Sequence, residues 1–181
     1  MKALYKVIGP NGEPLHGGSG NWPLPKDGQP GEWREETGKL RLCFRGLHLV
    51  TEPARWWQPQ CRIFAVEAEG IVGEPDGEGK VVCRRVRLLR EITDAAELAA
   101  LSIFVSGDHD IGGQAVAIAW GSATVRAWGS ATVEAWGSAI VISWVGRPDG
   151  RIVERVVWID RSRDKPQVYT AETSVPEDSK P

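Results

Sequence analysis

Three consecutive octapeptides, WGSATVRA at 120–127, WGSATVEA at 128–135 and WGSAIVIS at 136–143, constrain this chain more than any other feature. Trp144 opens a truncated copy, and a degenerate copy, GGQAVAIA at 112–119, precedes the three in the same register. Side chains alternate within a copy. Ala123, Val125 and Ala127 share one face of a strand, Thr124, Arg126 and Trp128 share the other, and Gly129-Ser130 supplies the corner. In an antiparallel meander with two-residue turns, Trp128 would oppose Ala131 and Arg126 would oppose Val133. The small apolar face would then flip on every strand, and no single face could be buried throughout. Parallel stacking removes the conflict. With two copies per coil of about 16 residues, copies i and i+2 stack at roughly 4.8 Å and every Ala-Val-Ala set points inward. Trp120 then lies over Trp136 and Trp128 over Trp144 as outward ladders, with Arg126 and Glu134 on the outward side. About four copies make only two coils, so the ends need covers, which the N-terminal unit and a final hairpin are expected to provide.

The rest of the composition bounds function loosely. Hydrophobic residues make up 41% of the 181 residues, enough for a packed core and against wholesale disorder. A net charge of -2 gives no global pull toward nucleic acid or anionic membrane. Cys43, Cys61 and Cys83 are odd in number and form no C-x-x-C pair, which predicts buried small hydrophobes in a reducing compartment. Neither a signal peptide nor an apolar run of membrane-spanning length is legible, so the expectation is a cytoplasmic protein without a membrane partner.

Before the repeat, Ala3 to Ile8 predicts a strand, and the Gly- and Pro-rich stretch 17–38 predicts a long loop with short extended pieces around Trp22 and Trp33. Leu40 to Val50 predicts a strand, followed by one or two helical turns capped by Thr51 with Pro53 in the first turn. Ile63 to Glu69 alternates as a half-buried strand, with Phe64, Val66 and Ala68 on its apolar face. Val81 to Leu89 predicts one further strand, and Asp94 with Glu97 matches a capping box before a short helix. After the repeat, Pro148-Asp149-Gly150 predicts a turn joining Ile140–Val145 and Arg151–Ile159 as a hairpin, and the polar residues beyond Asp160 predict a mobile tail. The expected fold is mainly β: a small α+β domain over 1–102, a β-repeat segment with a closing hairpin over 103–160 forming a short solenoid or roll, and a flexible polar tail over 161–181.

Few residues carry recognisable chemistry. His48, after Gly46-Leu47, sits where a strand meets a helical turn; such a His binds a ligand or simply holds the junction. His16, His48, His109 and the three cysteines occur in no metal-ligand spacing, so no metal is expected. Lys80, Arg84, Arg85, Arg87 and Arg90 form the densest basic run, for which Glu67, Glu69 and Glu91 are the expected partners on a solvated strand. The Trp faces suit packing against protein, or stacking of bases or sugars.

Tyr5-Lys6, Gly46-Leu47-His48, IFAVEAEG and KVVCRRVRLLREI, followed by octapeptides, resemble an uncharacterised family of phage and bacterial proteins over about residues 1–95, extended to Trp144 by the repeats. The resemblance implies a phage-associated or bacterial accessory context. The chain is more distantly similar to ADP-ribosyltransferase-like domains, which pair a first-strand basic residue with a later Gly-x-His segment. Lys6 and His48 occupy those positions, and the similarity implies NAD as cofactor. The chain departs from that pattern in lacking a first-strand Arg or His and an assignable catalytic Glu. The leading expectation is a non-enzymatic binding or assembly protein without a cofactor, using Trp120, Trp128, Trp136, Trp144, Arg126 and Glu134 to engage another protein or a second copy. An NAD-using enzyme is the alternative. Nucleic-acid binding through the Trp faces and the basic run is a third reading.

Overall fold

The computed structural model describes residues 3–15, 18–144, 155–162 and 164–170. Within them the chain divides into two compact units, Met1–Thr93 and Asp94–Pro181. The fold is mainly β, with a solenoid-like arrangement of about three turns in the C-terminal region.

The first unit contains β1 (Tyr5–Ile8), β2 (Arg34–Glu35), β3 (Leu47–Val50), β4 (Arg62–Glu69), β5 (Lys80–Cys83) and β6 (Arg85–Glu91), in the sheet order β2-β6-β4-β1-β3-β5. All pairings are antiparallel. β5 and β6 stand toward opposite ends of that order, yet only Arg84 separates them in the chain. The sheet therefore curls until β5 runs into β6, and the strands close in the ring β1-β3-β5-β6-β4-β1. Ile8, Leu49, Phe64, Val81, Cys83, Val86 and Leu88 fill its core, with Trp22 contributed by the long loop.

Three expectations change in this unit. Val81 to Leu89 is two strands, because at Arg84 the backbone N–H turns to the carbonyls of Glu69 and Gly70 while the guanidinium holds those of Glu36 and Gly38. Leu40 to Val50 is a strand only from Leu47. Arg41 to Arg45 closes a tight turn, and Gly46, at φ +133°, carries the chain so close to Val82 that a Cβ would lie 2.2 Å from its Cγ2. Thr51 is not a helix cap: its hydroxyl donates to the Gly79 carbonyl, and the single 3-10 turn Pro53–Arg55 is capped by Glu52 without a side-chain hydrogen bond.

The second unit opens with α1 (Ala95–Ala100), whose first turn is capped by Asp94 accepting from the N–H groups of Ala96 and Glu97, each at 3.0 Å. The coils follow: β7 (Ile103–Phe104), β8 (Asp108–Ile111), β9 (Val116–Ala119), β10 (Thr124–Ala127), β11 (Thr132–Ala135), β12 (Ile140–Ser143) and β13 (Val157–Asp160). They form two parallel sheets, β7-β9-β11 and β8-β10-β12-β13. Thr124 pairs with Ile140 and Val116 with Thr132, so two octapeptides make one coil, as the face-parity argument requires. Ala123, Val125 and Ala127 are fully buried.

The register also shows how the stack ends. His109, Val125, Val141 and Trp158 occupy one row across the sheet. Small side chains fill its middle, while at one end the Phe104 ring stacks on His109 at 4.0 Å and at the other Trp158 is buried. Large rings thus plug a narrow interior where the repeat itself supplies no further rung. The expected hairpin of Ile140–Val145 with Arg151–Ile159 is overturned: β12 and β13 run parallel, as one more coil. The proposed turn at 148–150 lies outside the described residues. The terminal hairpin is formed instead with β14 (Gln167–Tyr169), antiparallel on β13, so the segment just past Asp160 is a paired strand and not a free tail. Residues 171–181 lie outside the described set.

Candidate functional site

Lys6 and His48 come together in the first unit, at a cleft of about 580 Å³ lined by residues from β1, β2, β3, β5 and their loops. The pairing of β1 with β3 carries this juxtaposition: Lys6 Nζ donates to the His48 carbonyl oxygen at 2.9 Å. Lys6 also lies over the Trp22 ring, 4.9 Å from its centroid, and Arg34 lies over the same ring at 4.8 Å. Trp22 is itself buried and is held by its N–H donating to Gly12. Two cations therefore share one aromatic ring. Burial lowers the Lys6 ammonium to a pKa of about 8, with nearby Arg34 pushing the same way and Cys83 opposing.

His48 is firmly placed. Its Nε2 accepts the Cys43 backbone N–H at 2.9 Å, which leaves the ring proton on Nδ1. Burial, then the charges of Lys6 and Lys80, hold its pKa below the usual histidine value, against a raising backbone hydrogen bond at Gly46. A neutral imidazole with Nε2 already engaged fixes the loop 41–46 against β3 and is poorly placed to abstract a proton.

Glu36 supplies the carboxylate on the cleft lining. It accepts from the Gly38 N–H and from Arg45 Nε at 3.1 Å, and these contacts hold its pKa below the usual carboxylate value. Lys80 lies over the Trp56 ring at 4.3 Å, pairs with Glu78 at 2.8 Å and reaches Cys43 Sγ at 3.6 Å. Cys83 donates to the Leu47 carbonyl, and burial pushes its thiol up to about 12. The expectation of three buried cysteines holds only for Cys83; Cys61 is half-buried and Cys43 is exposed on the tight turn at φ +59°.

Trp22, Arg34, Glu36, Arg45 and Lys80 carry no sequence motif. Three of them come from the aperiodic stretch 17–38, which β2 and Trp22 pin to the sheet. Two members of the basic run make the expected ion pairs, Arg85 with Glu69 at 2.8 Å and Arg87 with Glu67 at 2.6 Å, whereas Arg84 is bound to carbonyls and Glu91 pairs with Arg62, outside the run, at 2.5 Å. Among the described residues no group of three His, Cys, Asp or Glu is placed to hold a metal ion, and His16 lies outside them.

The second unit presents the repeat tryptophans outward at its corners. Trp128 and Trp144 are 43% and 41% exposed and meet edge to face at 5.9 Å. Gly112 makes room for this column, since a Cβ there would lie 2.6 Å from Trp128 Nε1; Arg161 covers the far side of Trp144 at 5.9 Å. Trp120 and Trp136 are half-buried. Arg126 is held by Asp108 and Asp110 at 3.6 and 3.5 Å, and Glu134 is exposed on the other sheet. No helix among the described residues is long and apolar enough to cross a membrane. No family model matches the chain, and neither a curated protein nor a solved structure matches it.

Proposed function

We propose that the protein is a non-enzymatic binding and assembly protein in which the solenoid corner bearing Trp128 and Trp144 engages protein, a second copy of this chain first of all. Its phage-associated or bacterial accessory setting rests on the sequence resemblance. The observation that carries the reading is the pair of contacting, roughly two-fifths exposed indoles. Aromatic anchors of this kind contribute strongly to interfaces once desolvated. Sedimentation velocity over a concentration series tests it: the native chain sediments increasingly as a dimer or larger, and Trp128→Ala with Trp144→Ala returns it to monomer. A native chain that stays monomeric at every concentration sinks self-association.

An NAD-using, ADP-ribosyltransferase-like enzyme is the second reading, supported by one cleft containing Lys6, His48 and Glu36. The engaged Nε2 of His48 and the Arg45-bound carboxylate of Glu36 weigh toward binding without turnover. Incubation with NAD and a protein acceptor decides between them: release of nicotinamide supports the enzyme, and its absence despite NAD binding removes it.

A further inference from the structure

We propose that the cleft of the first unit is a binding site for a phosphate group, held between Lys6 and Arg34. The site does not depend on NAD chemistry or on the solenoid surface. Its basis is a charge imbalance. Lys6, Arg34, Arg45 and Lys80 line the cleft, against the single carboxylate of Glu36. Glu36 is already bound to Arg45, and Lys80 has Glu78. Among the described residues, Lys6 and Arg34 meet no carboxylate. Their partners are neutral: the His48 carbonyl for Lys6, the Ser19 and Gly20 carbonyls for Arg34, and the Trp22 ring for both.

Two cations lining one cleft and lying against one ring without an anion destabilise a fold, because each loses hydration and repels the other. Burial is the main cause of the lowered Lys6 pKa, and the Arg34 charge adds a smaller push in the same direction. A phosphate monoester carries close to two negative charges near neutral pH and offers three acceptor oxygens, so it matches this pair better than a monocarboxylate does. Arg34 still has guanidinium N–H groups beyond its two carbonyl bonds, and Lys6 has two further ammonium protons. The cleft lies within the roughly 300–1,000 Å³ range of small-molecule sites. Tyr5 and Trp56 line it, and Phe44, 79% exposed, gives it a flat apolar surface against which the rest of a phosphorylated molecule can lie.

Isothermal titration of the full chain with inorganic phosphate, ADP and adenosine tests the site. Phosphate and ADP are expected to bind, ADP more tightly, and adenosine not to bind. Lys6→Met is expected to weaken both at least tenfold, while circular dichroism and thermal melting verify that this variant is folded. Arg34→Lys, which keeps the charge but loses the planar fork, is expected to weaken ADP less than Lys6→Met does. Failure of both phosphate and ADP to bind at millimolar concentration overturns the proposal. So does binding that is unchanged in folded Lys6→Met, or adenosine binding as tightly as ADP. Binding of ADP without nicotinamide release from NAD supports this site while removing the enzymatic reading, so the two fail separately.

Discussion

The two units solve the same problem, burying one face of short β-strands, by opposite means. In the first, antiparallel strands close a ring around large and varied side chains, Ile8, Leu49, Phe64 and Leu88 among them. In the second, parallel coils stack a narrow interior of Ala and Val, so each rung needs only the rung beside it. A closed ring of unlike strands leaves unequal gaps, and the cleft with its cations lies in one. A repeated rung leaves no such gap and places its distinctive residue, Trp, on the outside. Chemistry concentrates in the irregular unit and surface in the regular one.

Substitutions can break or sharpen this contrast. Phe64 is among the largest fully buried side chains of the first unit, so Phe64→Ala is expected to lower the urea-unfolding free energy by about 4 kcal/mol. A loss below about 1 kcal/mol would mean that the ring does not rely on such large side chains. In the solenoid the sensitive element is backbone. Gly129 has φ +75°, and a Cβ there would lie 3.0 Å from the Gly113 nitrogen. Gly129→Val is expected to cost about 3 kcal/mol in the same assay, from left-handed strain together with the close approach. Gly77→Val in the first unit, where nothing lies within 4 Å, is expected to stay within about 0.5 kcal/mol.

The fourth substitution concerns charge. Lys6 titrates near 8 in the folded chain against 10.5 unperturbed, so between those values the unfolded chain holds a proton that the folded chain has lost. Stability contributed at this position therefore rises with pH across that window, and the penalty for the buried ammonium is complete below pH 8. Lys6→Met is expected to stabilise the protein by about 2 kcal/mol at pH 7, an advantage that shrinks through the window and is gone above it. Chemical denaturation of both forms at pH 7, 9 and 10.5 measures the difference. A destabilised variant at pH 7 would show that the ammonium's bond to His48 outweighs its burial. A smaller effect than that of Lys6→Met is at the helix start: Asp94→Ala removes the acceptor for two N–H groups and is expected to cost about 1 kcal/mol by thermal unfolding.

The solenoid was legible because alternation and period suffice to choose among stacking modes: only parallel coils of two octapeptides keep Ala123, Val125 and Ala127 on one buried side. The capping of α1 by Asp94 was equally local. The split at Arg84 was not, since its cause is a set of carbonyls from Glu36, Gly38, Glu69 and Gly70 that the chain order does not place there. Parallel pairing of β12 with β13 escaped for a related reason. The Pro-Asp-Gly signal favours a turn locally, but stacking Val141 on Trp158 continues the buried row of the solenoid.

By itself, then, the sequence determined the repeat unit and its inward and outward faces, because each follows from side-chain alternation over neighbouring residues; that Trp128 is exposed was decided by the structure. Only the tertiary structure decided that Lys6, Arg34, Glu36 and His48 share one cleft and that Trp22 carries two cations. Those residues lie on separate strands and a loop without periodicity. Lys6 and His48 meet through the pairing of β1 with β3, and Arg34 and Glu36 come from β2 and the residue after it, with β2 held on β6; such long-range pairings need no local pattern.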